Sequence, residues 1–164
     1  MPRNRSQHLI AGARLAAVLV ALAAAVTLAS VAAAGPAAAK QRVQIDTKAG
    51  TFTLTALQAG AIESDSGTEG CDEEPNKRGV RRDGQDAWVW ECPSWTFVGK
   101  RGKLVLRSQF TWIEAGGPYN IATGTWKVVR GTGQDAGITG GGRSAHVGSP
   151  SFWRIRYQGF ITSP

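Results

Sequence analysis

Apolar and polar residues alternate with a period of two along most of the chain after residue 40, and this alternation constrains the fold more than any other feature. Between residues 103 and 112, the even positions carry Leu, Leu, Ser, Phe and Trp, whereas the odd positions include Lys, Arg, Gln and Thr. Such sorting is typical of an antiparallel strand with one face packed and the other in water. Similar runs occupy residues 41–47, 51–57, 86–92, 124–129 and 153–161.

Glycine and proline separate these runs at intervals of roughly 8–15 residues, and no segment after residue 40 has a helical period. Short strands at this spacing predict an all-β, antiparallel domain, either a sandwich or a closed barrel. A closed barrel has no exposed strand edges, which favours it for a protein that works outside the cell. Residues 63–86 are polar, with few apolar side chains, and we predict a surface loop there.

The first 39 residues differ in composition from the rest of the chain. They begin with three arginines and no acid, continue with an apolar, alanine-rich run over residues 15–34, and contain Ala-x-Ala patterns ending at Ala34 and Ala39. This order predicts a secretory signal peptide cleaved after Ala39, or earlier after Ala34. A retained membrane helix is the alternative, since about 20 apolar residues can span a bilayer. The prediction is therefore a signal peptide over 1–39 and a single secreted domain over 40–164.

The charge of the chain argues against nucleic acid as a partner. The formal net charge is +7, of which the three arginines of the signal segment supply +3 and leave +4 for residues 40–164. A nucleic-acid-binding protein is expected to cluster its basic residues on one face. Here they are scattered, apart from two basic pairs at residues 77–78 and 81–82, which lie among acids and indicate a solvated loop.

Cys71 and Cys92 are the two cysteines of the chain, and both lie in the exported part. An even number of cysteines in an oxidising compartment favours a disulfide. A metal site or a nucleophilic thiol is the alternative, but two cysteines without a neighbouring histidine make a poor zinc site. His146 stands alone in a segment rich in glycine and serine, which we interpret as a loop. We expect neither a metal nor a cofactor.

Glycines are concentrated between residues 124 and 143, directly after a predicted strand. The segment has no G-x-G-x-x-G opening a helix and no Gly-Lys-Ser/Thr, so it does not match a phosphate-binding loop. Glycine permits positive φ and close backbone approach, and in strands it marks bulges and barrel corners. We interpret Gly131, Gly133, Gly137 and Gly140 as a structural turn, with Trp126 lying across it.

Residues 124–144 read G-T-W-K-V-V-R-G-T-G-Q-D-A-G-I-T-G-G-G-R-S. They resemble the pattern G-x-W-x-V-x-x-G-T-G-x-[YF]-x-G-[LI]-x-G-x-G of the allene oxide cyclase/dirigent-like β-barrels, which include exported bacterial members of unknown function. The resemblance implies an eight-stranded antiparallel barrel with a central apolar cavity. Its known members guide the cyclisation of a fatty-acid epoxide or the coupling of phenolic radicals. The chain departs from the pattern at Asp135, where an aromatic residue is usual, so a less well packed corner is expected.

Tryptophans are the strongest candidates for a ligand site. Trp88 and Trp90 are two residues apart beside Cys92, and we predict that they line a cavity or its mouth, with ordinary core filling as the alternative. Three other tryptophans are predicted to be core, namely Trp112, Trp126 and Trp153. Glu91 and Glu114 are the acids nearest the apolar strands, and we interpret both as solvated.

These observations predict a secreted, non-catalytic barrel that binds a small apolar or aromatic ligand. Two alternatives remain open. The first is a cyclase or isomerase, which requires a buried carboxylate with a raised pKa in the cavity. The second is a cell-envelope interaction protein, in an oligomeric form, which a large exposed apolar patch would favour. No catalytic residue can be assigned from the sequence.

Overall fold

The computed structural model describes residues 39–164, and this part consists almost entirely of antiparallel β-strands. The signal segment predicted over 1–39 lies outside the described residues, apart from Ala39. The strands are β1 (Lys40–Lys48), β2 (Thr51–Ala56), β3 (Asp65–Cys71), β4 (Asn76–Arg82), β5 (Gln85–Gly99), β6 (Lys103–Gly116), β7 (Tyr119–Gly131), β8 (Thr139–Ser149) and β9 (Phe152–Thr162). The prediction of an all-β, antiparallel fold is confirmed. No helix among the residues described is long and apolar enough to cross a membrane.

The nine strands form one sheet that closes into a ring. The order is β3-β2-β1-β9-β8-β7-β6-β5-β4, and β3 also pairs with β5. The long strand β5 makes both contacts along one edge, because its first half pairs with β4 and its second half with β3. A register shift between Cys92 and Trp95, around Pro93, separates the two halves. The pairing of β3 with β5 completes a ring, and β4 extends the sheet beyond it.

The prediction of a surface loop over 63–86 is wrong, because this segment contains β3 and β4. Neither strand has a run of apolar residues, so their pairing partners rather than their own hydrophobicity hold them in place. Gly67 brings β3 close to β5, since a Cβ there would lie 1.9 Å from the carbonyl oxygen of Val98. Asp83 and Gly84 both have positive φ, as expected for the two-residue turn that joins β4 to β5 in a hairpin.

The inward-facing side chains fill one end of the ring and its centre. Phe52 and Phe97 pack edge to face with ring centroids 5.2 Å apart, and Phe97 continues onto Tyr157 at 5.9 Å. Trp126 is buried, and its indole Nε1 donates to the carbonyl oxygens of Arg143 and Gln158 at 3.1 and 3.2 Å. Trp126 therefore belongs to the core, as predicted, and lies across β8 and β9.

The glycine-rich segment connects β7 to β8 at the filled end of the ring. Gly131 ends β7, Gly133 begins a 3-10 turn at Gly133–Asp135, Gly137 follows this turn and Gly140 is the second residue of β8. A Cβ on Gly131 would lie 1.8 Å from the carbonyl oxygen of Asp135, and Gly133 has a φ of +63°. The backbone thus folds back on itself where no larger residue fits.

Asp135 does not leave this corner loosely packed, contrary to the expectation drawn from the resemblance. Its side chain is 11% exposed and accepts a hydrogen bond at 3.1 Å from Nε of Arg101, which is 12% exposed. Arg101 also donates to Glu63 Oε2 at 3.1 Å and to the carbonyl oxygen of Ala61 at 3.3 Å. An ion pair occupies the position where the family pattern has an aromatic ring.

Candidate functional site

The other end of the ring contains a cavity of about 1060 Å³ that opens to solvent. Five tryptophans from β5, β6 and β9 line it, namely Trp88, Trp90, Trp95, Trp112 and Trp153. Pairing across the sheet brings these side chains together. Trp88 of β5 lies opposite Trp112 of β6. Ala122 of β7 lies opposite both Trp112 and His146 of β8, so these two residues are at the same level of the sheet. The volume lies just above the range of about 300–1,000 Å³ typical of small-molecule sites.

Trp90 lies at the centre of the aromatic wall. Its ring centroid is 5.5 Å from that of Trp95, 5.7 Å from Phe110 and 6.4 Å from Trp112. Trp95 in turn lies 6.2 Å from Trp153. Most of these pairs are edge to face, the arrangement that the charge distribution of aromatic rings favours.

The sequence-predicted tryptophans are placed differently within this wall. Trp88 and Trp90 both line the cavity, with Trp88 at the mouth and 47% exposed. The assignment of Trp112 and Trp153 to the core was wrong, because both are only partly buried and face the cavity. Trp95, which had no assigned role, lies at the inner end of the wall. Alternation along a strand indicates which face points inward, but it does not show where the interior is empty.

Glu69 on β3 brings a carboxylate to the cavity wall. One oxygen accepts a hydrogen bond from the indole Nε1 of Trp95, and the other is buried without a hydrogen-bond partner among the described residues. Burial raises the pKa of Glu69, and the Trp95 hydrogen bond opposes this rise only in part. Sequence reasoning missed Glu69 because its segment was interpreted as a solvated loop. The signal available was its parity with Cys71, two residues away.

His146 lies in β8 and points into the ring, so its assignment to a loop was wrong. Its imidazole packs edge-on against Trp112, with centroids 4.1 Å apart, and lies 6.2 Å from the rings of Phe110 and Trp153. Burial lowers the pKa of His146 to about 4, so the ring is neutral at pH 7. Neither of its nitrogens has a hydrogen-bond partner in the described part of the chain.

A group of three buried hydroxyls lies deeper in the ring than His146. It consists of Ser108 on β6, Ser144 on β8 and Tyr157 on β9, where Ser144 and Tyr157 are paired across the sheet. Their oxygens have no partner of hydrogen-bond geometry within residues 39–164. Burial raises the pKa of Tyr157. These three hydroxyls are buried in the interior of the ring and are not among the residues that line the cavity.

The remaining predicted residues lie around this cavity or away from it. Cys71 and Cys92 form the predicted disulfide, and Cys71 contributes to the lining. Glu91 is half-buried and does not line the cavity, whereas Glu114 is exposed and lies at its mouth. Within residues 39–164, no group of three or more His, Cys, Asp or Glu is arranged to hold a metal ion.

Comparisons of the chain with protein-family models, with curated proteins and with solved structures gave no match.

Proposed function

We propose that this protein is a secreted β-barrel that binds a small apolar or aromatic ligand in its cavity. The observation that supports this most directly is the cavity of about 1060 Å³ with five tryptophans in its wall. A domain of this size is expected to fill its interior with side chains unless the space has a use. The closed ring of strands and the glycine-rich segment agree with the resemblance to the allene oxide cyclase/dirigent-like barrels, whose members hold their ligands in such a cavity.

The wall suits a flat or apolar molecule. A ligand that buries about 200 Å² of apolar surface is stabilised by about 5 kcal/mol from the hydrophobic effect alone, before the costs of association. Trp88, half-exposed at the mouth, and Trp90, at the centre of the wall, offer ring edges and faces for stacking. The neutral imidazole of His146 provides a polar contact to orient the ligand.

Secretion is part of the proposal and is supported by two observations. The sequence of residues 1–39 has the three regions of a signal peptide. Disulfides such as Cys71–Cys92 form and persist mainly in oxidising compartments outside the cytosol. Mass spectrometry of the protein recovered from the culture medium of its own organism tests this part. We expect a molecular mass that corresponds to a chain beginning at Lys40 or Gly35. A full-length chain retained in the cell would contradict secretion.

Native mass spectrometry of the secreted protein tests the binding function. We expect a small molecule that co-purifies reproducibly and dissociates on denaturation. Titration with naphthalene, followed by tryptophan fluorescence, gives an independent measurement. Trp88→Ala should weaken naphthalene binding several-fold, whereas Phe160→Ala, an equally exposed aromatic on the outer face of β9, should not. The proposal would be refuted if naphthalene binding did not saturate at any concentration and if native mass spectrometry showed a protein without a bound small molecule.

Isomerisation or cyclisation in the same cavity is the second candidate, and Glu69 is the observation that favours it. Burial raises the pKa of the Glu69 carboxyl group, and a carboxyl group with a raised pKa is suited to take and return a proton. It lies in an aromatic cavity with a neutral histidine, the combination that the enzyme hypothesis requires. Once a co-purifying ligand is identified, Glu69→Gln should abolish its conversion without abolishing binding. Equal conversion by the variant would exclude this role.

A further inference from the structure

We propose that the cavity selects an organic cation, in which an ammonium group is carried on an apolar or aromatic body. This inference rests on the proposed ligand-binding function and names the chemical class of the ligand. Three features of the site carry it: the charge of the lining, the missing partner of a buried carboxylate, and the tryptophan wall.

The charged residues that line the cavity are mainly acidic. Glu69 lies within the wall, Asp86 and Glu114 lie toward the mouth, and Lys77 is the one cationic residue of the lining, since His146 is neutral at pH 7. Residues 40–164 carry a formal net charge of +4 (16 basic minus 12 acidic residues), so this concentration of acids is local. A concave site with low-dielectric walls focuses the field of such charges. The cavity therefore attracts cations and repels anions, unlike the outer surface.

Glu69 has no cation to balance it. None of the ion pairs formed within residues 39–164 involves Glu69, and its side-chain hydrogen bond comes from the neutral indole of Trp95. A buried carboxylate without a cationic partner is costly. One carboxylate oxygen of Glu69 has no hydrogen-bond partner among the described residues, so a cation bound beside it would stabilise the ionised form. A cationic ligand supplies the missing partner.

The tryptophan wall is suited to the same ligand. Trp90, Trp95, Trp112 and Trp153 have neighbouring ring centroids 5.5 to 6.4 Å apart, and the face of an indole attracts a cation more strongly than any other side-chain ring. Aromatic cages that recognise quaternary ammonium groups use this interaction. The apolar or aromatic part of the ligand fills the remaining space of the cavity and is held there by the hydrophobic effect.

Two probes of the same shape distinguish the contribution of charge to binding from the contribution of apolar burial. Phenyltrimethylammonium and tert-butylbenzene have matching outlines and differ by one positive charge. Both are titrated into the purified secreted protein at low salt, and binding is followed by tryptophan fluorescence. We expect phenyltrimethylammonium to bind about tenfold or more tightly than tert-butylbenzene, from cation–π attraction and the field of Glu69.

Glu69→Gln tests the source of this preference, since glutamine retains an acceptor for the Trp95 indole. The variant should weaken phenyltrimethylammonium binding about tenfold and leave tert-butylbenzene binding unchanged. Glu91→Gln is the matched control, because Glu91 is a half-buried glutamate of β5 outside the cavity, and it should change neither affinity. If Glu69→Gln does not fold, the exposed pair Asp86→Asn and Glu114→Gln should weaken cation binding in its place.

The outcomes are distinct. Tighter binding of the cation that depends on Glu69, or on the mouth acids, supports the inference. Equal or tighter binding of tert-butylbenzene overturns the cation inference and leaves the ligand-binding function intact. A preference for the cation that survives every charge removal overturns the role given to the acids and assigns the preference to the tryptophan wall. Failure of both probes, with an empty protein in native mass spectrometry, overturns the inference together with the function on which it rests.

Discussion

The imidazole of His146 stands edge-on to the indole of Trp112, with the two ring centroids 4.1 Å apart, and both rings face the cavity. Cross-strand geometry explains the contact, since Trp112 and His146 both pair with Ala122 of β7. Protonation would place a positive charge on an imidazole that is packed among aromatic rings, and this burial lowers the pKa of His146.

The stability of the protein should therefore fall as the pH is lowered from 6.5 to 4. In this window the unfolded chain binds a proton at His146 that the folded chain does not, so acid favours unfolding. The loss reaches at most about 3 kcal/mol, an upper limit because the cavity admits water. Urea unfolding as a function of pH measures it, and His146→Phe should remove this part of the slope.

Glu69 acts in the opposite sense and must be separated from His146. Its folded-state pKa is raised, so its contribution is present at low pH and is lost as the pH rises through that pKa. The pH dependence of urea unfolding for His146→Phe is therefore compared with that of the unaltered protein both when Glu69 is present and in the Glu69→Gln background. An imidazole resonance of His146 that titrates near pH 6.5 rather than near pH 4 would contradict the assignment of a buried neutral ring.

The Cys71–Cys92 disulfide should stabilise the folded state by about 3 kcal/mol. It joins residues 21 apart and encloses β4, so its removal returns chain entropy to the unfolded state. It also holds β3 beside the strand that completes the ring, since Cys71 pairs with Trp95. Urea unfolding of Cys71→Ala/Cys92→Ala measures the effect. A change below about 1 kcal/mol would show that strand pairing alone keeps β3 in place.

Removal of the Asp135 charge should be far more damaging than removal of Glu63, although both residues contact Arg101. Asp135 is 11% exposed, so Asp135→Asn leaves the Arg101 charge without its buried partner, at a cost of about 3 kcal/mol. Glu63 is 79% exposed, and Glu63→Gln should cost less than about 1 kcal/mol. Thermal or urea unfolding compares the two. Similar losses would mean that the ion pair does not support the corner.

Gly131 should tolerate no side chain, whereas Gly79 should. A Cβ at Gly131 meets the carbonyl oxygen of Asp135 at 1.8 Å, and only a backbone shift relieves the clash. We expect Gly131→Ala to lower the free energy of unfolding by about 2 kcal/mol or more. Gly79 in β4 has open space and ordinary φ, so Gly79→Ala should be neutral or mildly stabilising. Equal effects at the two positions would refute the role of the glycine turn.

The sequence predicted well those features that depend on neighbouring residues. The alternation along 103–112 indicated the packed face of β6, and the run over 41–57 contained the β1–β2 hairpin. The compartment and the two cysteines predicted the disulfide between Cys71 and Cys92. Period-two alternation and turn residues are local properties of the chain. They can therefore be recognised in the sequence without knowing which strands pair in the sheet.

Polar strands and the site itself could not be predicted in the same way. Alternation was interpreted on the rule that apolar residues point inward, and Glu69 and His146 break that rule because they face a cavity rather than a packed core. The segment with β3 and β4 looked like a loop because its strands are held by partners distant in the chain.

By itself, then, the sequence determined an all-β chain with alternating faces, a paired set of cysteines and a glycine-rich turn. Tertiary structure alone decided that β3 meets β5, that one end of the ring is filled around Arg101 and Asp135, and that the other end is open between the tryptophans and Glu69. The physical reason is that a strand's periodicity is set by its own backbone, whereas ring closure and empty space depend on residues brought together from distant parts of the chain.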